Sequence, residues 1–284
     1  MLVAFLGFGL IGGSVARALR ESASSPDLRL VAWTPSGHGP QAAVVDGILE
    51  AAAGSPVDAI AGADLIVLAA PPLDCLALLD GLGGPWRADV APGATITDVA
   101  STKAAIVDRA DALALRFVGG HPMAGLEVTG YAAGTAALFH DRPWVVVPGA
   151  TAGEEDVARV EWLATACGAV PTRMTADAHD AAVAGTSHLP LILSAALVEA
   201  VTAGGLEPDL TAGGWRDMTR LARGDATMGA GIAATNAPAL ASRIRDLRAV
   251  LDAWLADLDA SDGPDVASIQ HRLRRAAAQL EALD

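Results

Sequence analysis

Cysteine is scarce in this chain: Cys75 and Cys167 are the two present among 284 residues. They form no CxxC pair, so a disulfide framework is excluded. No spacing of histidine, cysteine and carboxylate resembles a metal site either. Both cysteines read as buried thiols of a reducing cytoplasm. Positive charge is also short. Nineteen Lys and Arg face 33 Asp and Glu, for a net charge of −14. A nucleic-acid binder needs a basic face, so DNA and RNA are not expected partners. Lysine is nearly absent: Lys103 stands alone against eighteen arginines, a bias that GC-rich coding explains. Long uninterrupted apolar runs are missing where a leader or a membrane span would need them. The N-terminal stretch MLVAFLGFGLIGGSVARAL has no basic lead and is broken by glycines. ADLIVLAAPPLDCLALL is interrupted by two prolines and an aspartate. The expectation is a cytoplasmic protein with no membrane association.

What is present is alternation. Hydrophobic residues make up 52% of the chain, enough for a full core. Residues 1–174 alternate short β-branched runs with helical stretches. LVAFL (2–6), RLVAW (29–33), DLIVLAA (64–70), ATITDVA (94–100), RFVGG (116–120), WVVVPG (144–149) and AVPTRM (169–174) are strand candidates. Near-continuous apolar strands separated by helices predict a parallel sheet covered on both faces, the doubly wound Rossmann-type α/β arrangement. After Met174 no strand is evident. Residues 178–201 read as one long helix, kinked at Pro190, and later segments show helical spacing. The predicted organisation is a dinucleotide-binding domain over 1–174 and an all-α domain over 175–284.

The first strand runs into GFGLIG, with Gly7, Gly9 and Gly12 in GxGxxG spacing. Gly7 permits the tight turn, Gly9 lets a pyrophosphate approach, and Gly12 lets the helix pack on the strand. The new helix offers the N–H groups of Leu10, Ile11 and Gly12 to phosphates. A strand before and a helix after are the context that gives this motif weight. NAD recognition calls for an acid at the end of the second strand; Thr34 stands there. Thr34 and Ser36 can donate to a 2′-phosphate, which points towards NADP rather than NAD, although no arginine follows. AAPP (69–72) closes the third strand candidate and puts Ala70 and Pro71 beside the cofactor.

Two further segments carry chemistry. In DVASTK, Ser101 is placed at a helix start, either as its N-cap or as a substrate contact. In FVGGHPMAG, Pro122 biases His121 to an extended backbone, and Gly119 and Gly120 leave room for a flat ring to approach. His121 sits on a loop at the carboxyl edge of the sheet as a candidate proton acceptor.

Taken together, GFGLIGGS, DVASTK, GGHPMAG, SHLP and GWRDMTRLA resemble the prephenate and arogenate dehydrogenases of tyrosine biosynthesis, in order over residues 5 to about 223. The resemblance implies a Rossmann domain followed by a helical dimerisation domain, hence a homodimer. It implies oxidative decarboxylation of a cyclohexadienol with hydride transfer to NAD or NADP. It makes His121 the catalytic proton acceptor, with Ser101 as a second hydrogen-bond partner. It makes Arg220 the carboxylate ligand of a small anionic substrate; were the segment a continuous helix, Arg216 would lie one turn away on the same face. His188 of SHLP either lines the site or bridges domains. Many relatives read SHLPH; here Leu191 takes the last place, which bears on prephenate versus arogenate. A role for His179 is not assigned. No metal is implied, and no further regulatory domain is expected after the helices. Two other readings share the architecture: a hydroxyacid dehydrogenase or imine reductase, against which the lack of a lysine after Lys103 argues, and a non-catalytic NAD(P)-binding sensor.

Overall fold

The computed structural model describes residues 1–22, 27–126, 128–205 and 208–283. These divide into two compact units, Met1–Ala237 and Pro238–Asp284.

The first unit is built on an eight-stranded sheet: β1 (Leu2–Leu6), β2 (Arg29–Trp33), β3 (Ala51–Ala52), β4 (Leu65–Leu68), β5 (Thr95–Asp98), β6 (Phe117–Pro122), β7 (Pro143–Pro148) and β8 (Val170–Arg173). The spatial order is β3-β2-β1-β4-β5-β6-β7-β8. Strand order reverses between β1 and β4, which makes their carboxyl ends the switch point where such sheets bind ligands. Side chains alternate along each strand and so feed two cores. Val3, Phe5, Leu65 and Val67 join one cluster; Ala4, Leu6, Ile66 and Leu68 join the other. The helices follow suit. Residues of α1 (Leu10–Glu21), α2 (His38–Val45) and α6 (Glu154–Ala166) pack in the first cluster. Residues of α3 (Pro56–Ile60), α4 (Pro72–Gly83) and α5 (Ala104–Ala112) pack in the second.

The sheet departs from the all-parallel expectation in one place. β6 and β7 pair antiparallel, His121 opposite Val145 and Gly120 opposite Val146, while β8 runs parallel to β7. Among its described residues, the connection from β6 to β7 holds only two short 3-10 turns, Tyr131–Ala133 and Ala136–Phe139. A parallel return needs a covering crossover, usually a helix, and none is there. The same pairing carries β6 two residues past the expected end, so His121 lies in a strand and not on a loop. β3, at two residues, was too short to show as a pattern.

After β8 the described chain is helical: α7 (Ala176–Val183), α8 (Leu189–Ala203), α9 (Gly213–Thr219) and α10 (Ala226–Thr235). α7 and α8 join through a π-helical turn, Ala184–His188, immediately before Pro190. Proline cannot donate to the helical ladder, and a widened turn is one way for a helix to absorb that loss. Among the described residues one helical stretch, Ala176–Ala203, is long and apolar enough to cross a membrane by length and composition, with mean hydropathy 1.6.

The second unit is a helix pair: α11 (Ala237–Leu258), which begins one residue ahead of the unit, and α12 (Val266–Glu281). Asp257 pins the two together. It pairs with Arg272 and accepts from Ser268 Oγ at 3.0 Å.

Candidate active site

At the switch point the polypeptide makes its site by omitting side chains. Gly7 has φ +90°, and a Cβ there would lie 2.4 Å from the Ala69 carbonyl oxygen. At Gly12 a Cβ would lie 2.9 Å from the Ala69 Cβ. These two glycines let the β1–α1 turn close onto the end of β4, beside Ala70 and Pro71. A Cβ on Gly9 would meet nothing within 4 Å. Gly9 is the N-cap of α1 and makes no side-chain cap, and no acid occupies the first turn. The N–H groups of Leu10, Ile11 and Gly12 have no capping side chain, and the positive end of a twelve-residue helix lies behind them. This cradle fits a dinucleotide pyrophosphate. At the end of β2, Thr34 Oγ1 accepts from Gly37 N at 3.0 Å, which leaves its hydroxyl hydrogen to donate.

Two strands away the site is built from buried polar side chains. Asp98, at the end of β5, is ion-paired with Lys103, and both are fully buried. Asp98 also accepts from Gly120 N and Ala100 N, each at 3.0 Å. Lys103 Nζ donates in turn to Gly120 O at 2.8 Å. Both main-chain groups of Gly120 are thus held by this pair, one residue before His121. Burial pushes the Asp98 carboxyl up, against the pull of Lys103 and the two N–H groups. Every partner is a donor, so the carboxylate is the form they all recognise.

The room at the glycine pair is used differently from the expectation. A Cβ on Gly119 would lie 3.1 Å from Lys103 Cδ, and one on Gly120 would lie 2.5 Å from Asp98 O and 3.0 Å from Trp144 Nε1. The glycines admit the Asp98–Lys103 pair and the Trp144 indole, not an incoming ring.

His121 is 8% exposed. Its Nδ1 lies 2.8 Å from His179 Nε2, and its Nε2 has no hydrogen bond among the described residues. Burial lowers its pKa well below the usual value, and His179, Lys103 and His188 lower it further. His121 is therefore neutral at pH 7. His179 Nδ1 lies 2.7 Å from Asp180 Oδ1. His188 is 1% exposed, on the π turn. Asn236 Nδ2 donates to Asp180 O at 2.9 Å, which fixes the amide orientation, and meets His188 Nδ1 at 3.1 Å. His188 Nδ1 is then an acceptor and Nε2 carries the hydrogen. That buried Nε2 has no hydrogen-bond partner of normal geometry. Burial lowers the His188 pKa; Asp180 and the nearby Ser101 carbonyl pull it up, and His179 pulls it down. The field of His188 reaches His121, so the two histidines share one buried neighbourhood.

Of the other expected residues, Ser101 is half-buried in the bend before α5. It is not the helix cap: α5 starts at Ala104, and Lys103 holds the N-cap position without a side-chain cap. Arg220 is exposed and opens a 3-10 turn, Arg220–Arg223, directly after α9. The helix that would align Arg216 with it stops at Thr219. That turn is anchored by Ala222 N, which donates to Ser194 Oγ of α8 at 2.9 Å. No cluster of metal-ligating residues occurs among the described residues, and Cys75 and Cys167 are free and buried. Reading the sequence missed Lys103, Asp98, His179, Asp180 and Asn236. Two signals existed: a single lysine in an arginine-rich chain, and an adjacent His-Asp at a helix start.

The fold and the two half-sites define a dinucleotide-binding protein with a buried histidine at the sheet's carboxyl edge. Comparison with known proteins narrows this. Residues 15–172 match the nucleotide-binding domain of prephenate dehydrogenase, and residues 175–270 match its dimerization domain. Prephenate dehydrogenase of Bacillus subtilis is 31% identical over 260 residues, covering 89% of this chain and 67% of the relative. Cyclohexadienyl dehydrogenase of Zymomonas mobilis is 31% identical over 265 residues, covering 90% of this chain and 85% of the relative. The crystal structure of Synechocystis arogenate dehydrogenase aligns over 100% of both chains, with TM-score 0.80 and 28% identity. The chain belongs to the prephenate dehydrogenase family. An Aquifex aeolicus prephenate dehydrogenase solved with hydroxyphenyl propionate and NAD+ shares the fold, with TM-score 0.89 over 100% of this chain and 98% of the other, at 23% identity.

Proposed function

We propose that this chain oxidatively decarboxylates prephenate or arogenate in tyrosine biosynthesis, as a cytoplasmic homodimer. The observation that carries the reading is His121: buried, held neutral, with Nδ1 engaged and Nε2 unengaged, at the carboxyl end of β6. The 4-hydroxyl of a cyclohexadienol gives its proton to His121 Nε2. When bound, NAD(P)+ supplies the acceptor for the hydride that leaves C4. The ring carboxylate departs as CO2, and aromatisation drives the reaction without a metal. Ser101 and His188 Nε2–H serve as hydrogen-bond donors to the substrate, and Arg220 as the carboxylate ligand, its fork suited to two oxygens. His121 gains most from being fixed, because one ring nitrogen must meet the oxygen while the cofactor meets the adjacent carbon.

Gly7, Gly9, Gly12, Leu10, Ile11, Ala70 and Pro71 form the cofactor cradle. Thr34, with a spare hydroxyl hydrogen and no acid beside it, supports NADP over NAD. Residues 1–174 are taken as the dinucleotide-binding domain and 175–284 as the substrate and dimerisation domain. The polar end of the helix Ala176–Ala203 is committed to the site through His179, Asp180 and His188. In α8 only Ser194 is buried, and a second copy of the chain, not a bilayer, is the partner that covers the remainder. The test is formation of reduced cofactor at 340 nm, with prephenate and arogenate each offered with NAD and NADP. Turnover is expected with at least one pair and faster with NADP. Silence in all four, with folded protein and bound cofactor, would move the reading to a reductase or a sensor.

A further inference from the structure

Asp180 does two things from one carboxylate. Its Oδ1 accepts from Lys103 N at 2.8 Å and its Oδ2 from Ala104 N at 2.9 Å, capping α5 from 76 residues away. α5 has no side-chain cap of its own, so its first N–H groups would otherwise be orphans. The same Oδ1 meets His179 Nδ1 at 2.7 Å. Desolvation raises the Asp180 carboxyl, but His179 and the two N–H groups outweigh it and hold it below the usual range. Asp180 is therefore a carboxylate, and a carboxylate only accepts. His179 Nδ1 must carry the hydrogen. With a single N–H on the His179 ring, its Nε2 is an acceptor. Its neighbour at 2.8 Å is His121 Nδ1, which must then donate. Neutral His121 is left with its lone pair on Nε2.

We infer that Asp180 and His179 are positioning residues that lock His121 in the Nδ1–H tautomer, so that Nε2 is the basic nitrogen. The inference rests on the proposed role of His121. When the hydroxyl O–H bond breaks and the proton joins Nε2, the new imidazolium already donates through Nδ1 to His179, whose other face is held by a carboxylate. No further proton has to move. The ring planes cross at 80°, so the two rings meet through the hydrogen bond and are not stacked face to face. The anchor is rigid because Asp180 is tied to the start of α5. Lys103, at the same start, clamps Gly120 next to His121. Ring and backbone of His121 are braced from one place.

The direct test is imidazole 15N NMR of the whole chain. His121 is expected as the Nδ1–H tautomer. Finding hydrogen on Nε2, as a doubly protonated His179 would impose, overturns the inference whatever the activity. In Asp180→Ala the acceptor of His179 Nδ1 is removed and neither tautomer is fixed any longer. The expected result is a fall in kcat of about 10²–10⁴-fold with KM little changed. Since Asp180 also caps α5, the His179 pair decides if that variant fails to fold. In His179→Gln the amide oxygen still accepts from His121, and activity is expected within about 10-fold of the parent. His179→Leu has no acceptor and is expected to lose about 10²-fold or more. Equal losses in Gln and Leu would indicate packing alone and sink the relay. An inert His121→Asn would instead remove the base itself; a damaging His121→Asn with harmless His179 variants would remove only the relay.

Discussion

The two halves of this site are made by opposite means. The β1–α1 turn is bare backbone: three glycines, an uncapped helix, and no charged side chain. The β5–β6–α7 cluster is crowded with ionisable side chains, Asp98, Lys103, His121, His179 and Asp180, all buried. The difference follows from the chemistry proposed for each half. A pyrophosphate is recognised by main-chain N–H groups and needs side chains out of the way. A proton acceptor needs a defined tautomer and a pKa that leaves it neutral, and both are set by burial and by its partners. One half works through the atoms it lacks and the other through the atoms it packs together.

That contrast can be broken most forcefully at Lys103. Replacing it with Met leaves the Asp98 carboxylate buried without its cation. The expected cost is about 3–5 kcal/mol in denaturant unfolding, with loss of turnover as Gly120 is released. A change within about 1 kcal/mol would show that water reaches Asp98.

A smaller effect separates two glycines of one motif. Gly7→Ala combines a left-handed φ with a backbone overlap and is expected to cost about 1–3 kcal/mol. Gly9→Ala fills open space. Its stability should stay within about 1 kcal/mol of the parent, while cofactor affinity, read by fluorescence titration, falls about 10-fold or more. Equal affinity for Gly9→Ala would place the pyrophosphate elsewhere.

The gentlest probe is pH. His121 and His188 have lowered pKa values in the folded chain, against about 6.5 when unfolded. Above that pH both are neutral in both states. Below it the unfolded chain takes up protons that the folded chain refuses, so stability falls as pH drops. The slope is roughly 1.4 kcal/mol per pH unit for each histidine until its folded pKa is reached. Urea midpoints from pH 7 to pH 5 measure it. His188→Gln should flatten the slope by about one proton; an unchanged slope would assign the loss to other groups.

Much of the fold was legible because its signals are local. Seven of the strands showed as apolar runs, and the glycine turn declared itself by spacing between a strand and a helix. His121 stood out because Gly and Pro flank it. The antiparallel return of β6 into β7 was not legible, since apolar strands look alike in either direction and only the missing crossover helix distinguishes them. Asp98 with Lys103 was hidden by their sequence closeness, which resembles an ordinary exposed loop. His179, 58 residues from His121, looked like any histidine on a helix.

By itself, then, the sequence determined where the backbone must turn, which runs must be buried, and that a histidine sits at the sheet's carboxyl edge. Those properties depend on torsional freedom and on side-chain periodicity within a few residues. Only the tertiary structure decided that this histidine is buried against His179 and that the one lysine is paired with Asp98 beside it. Hydrogen bonds and desolvation act through space, and the groups that supply them come from β5, β6, α5, α7 and the residue after α10.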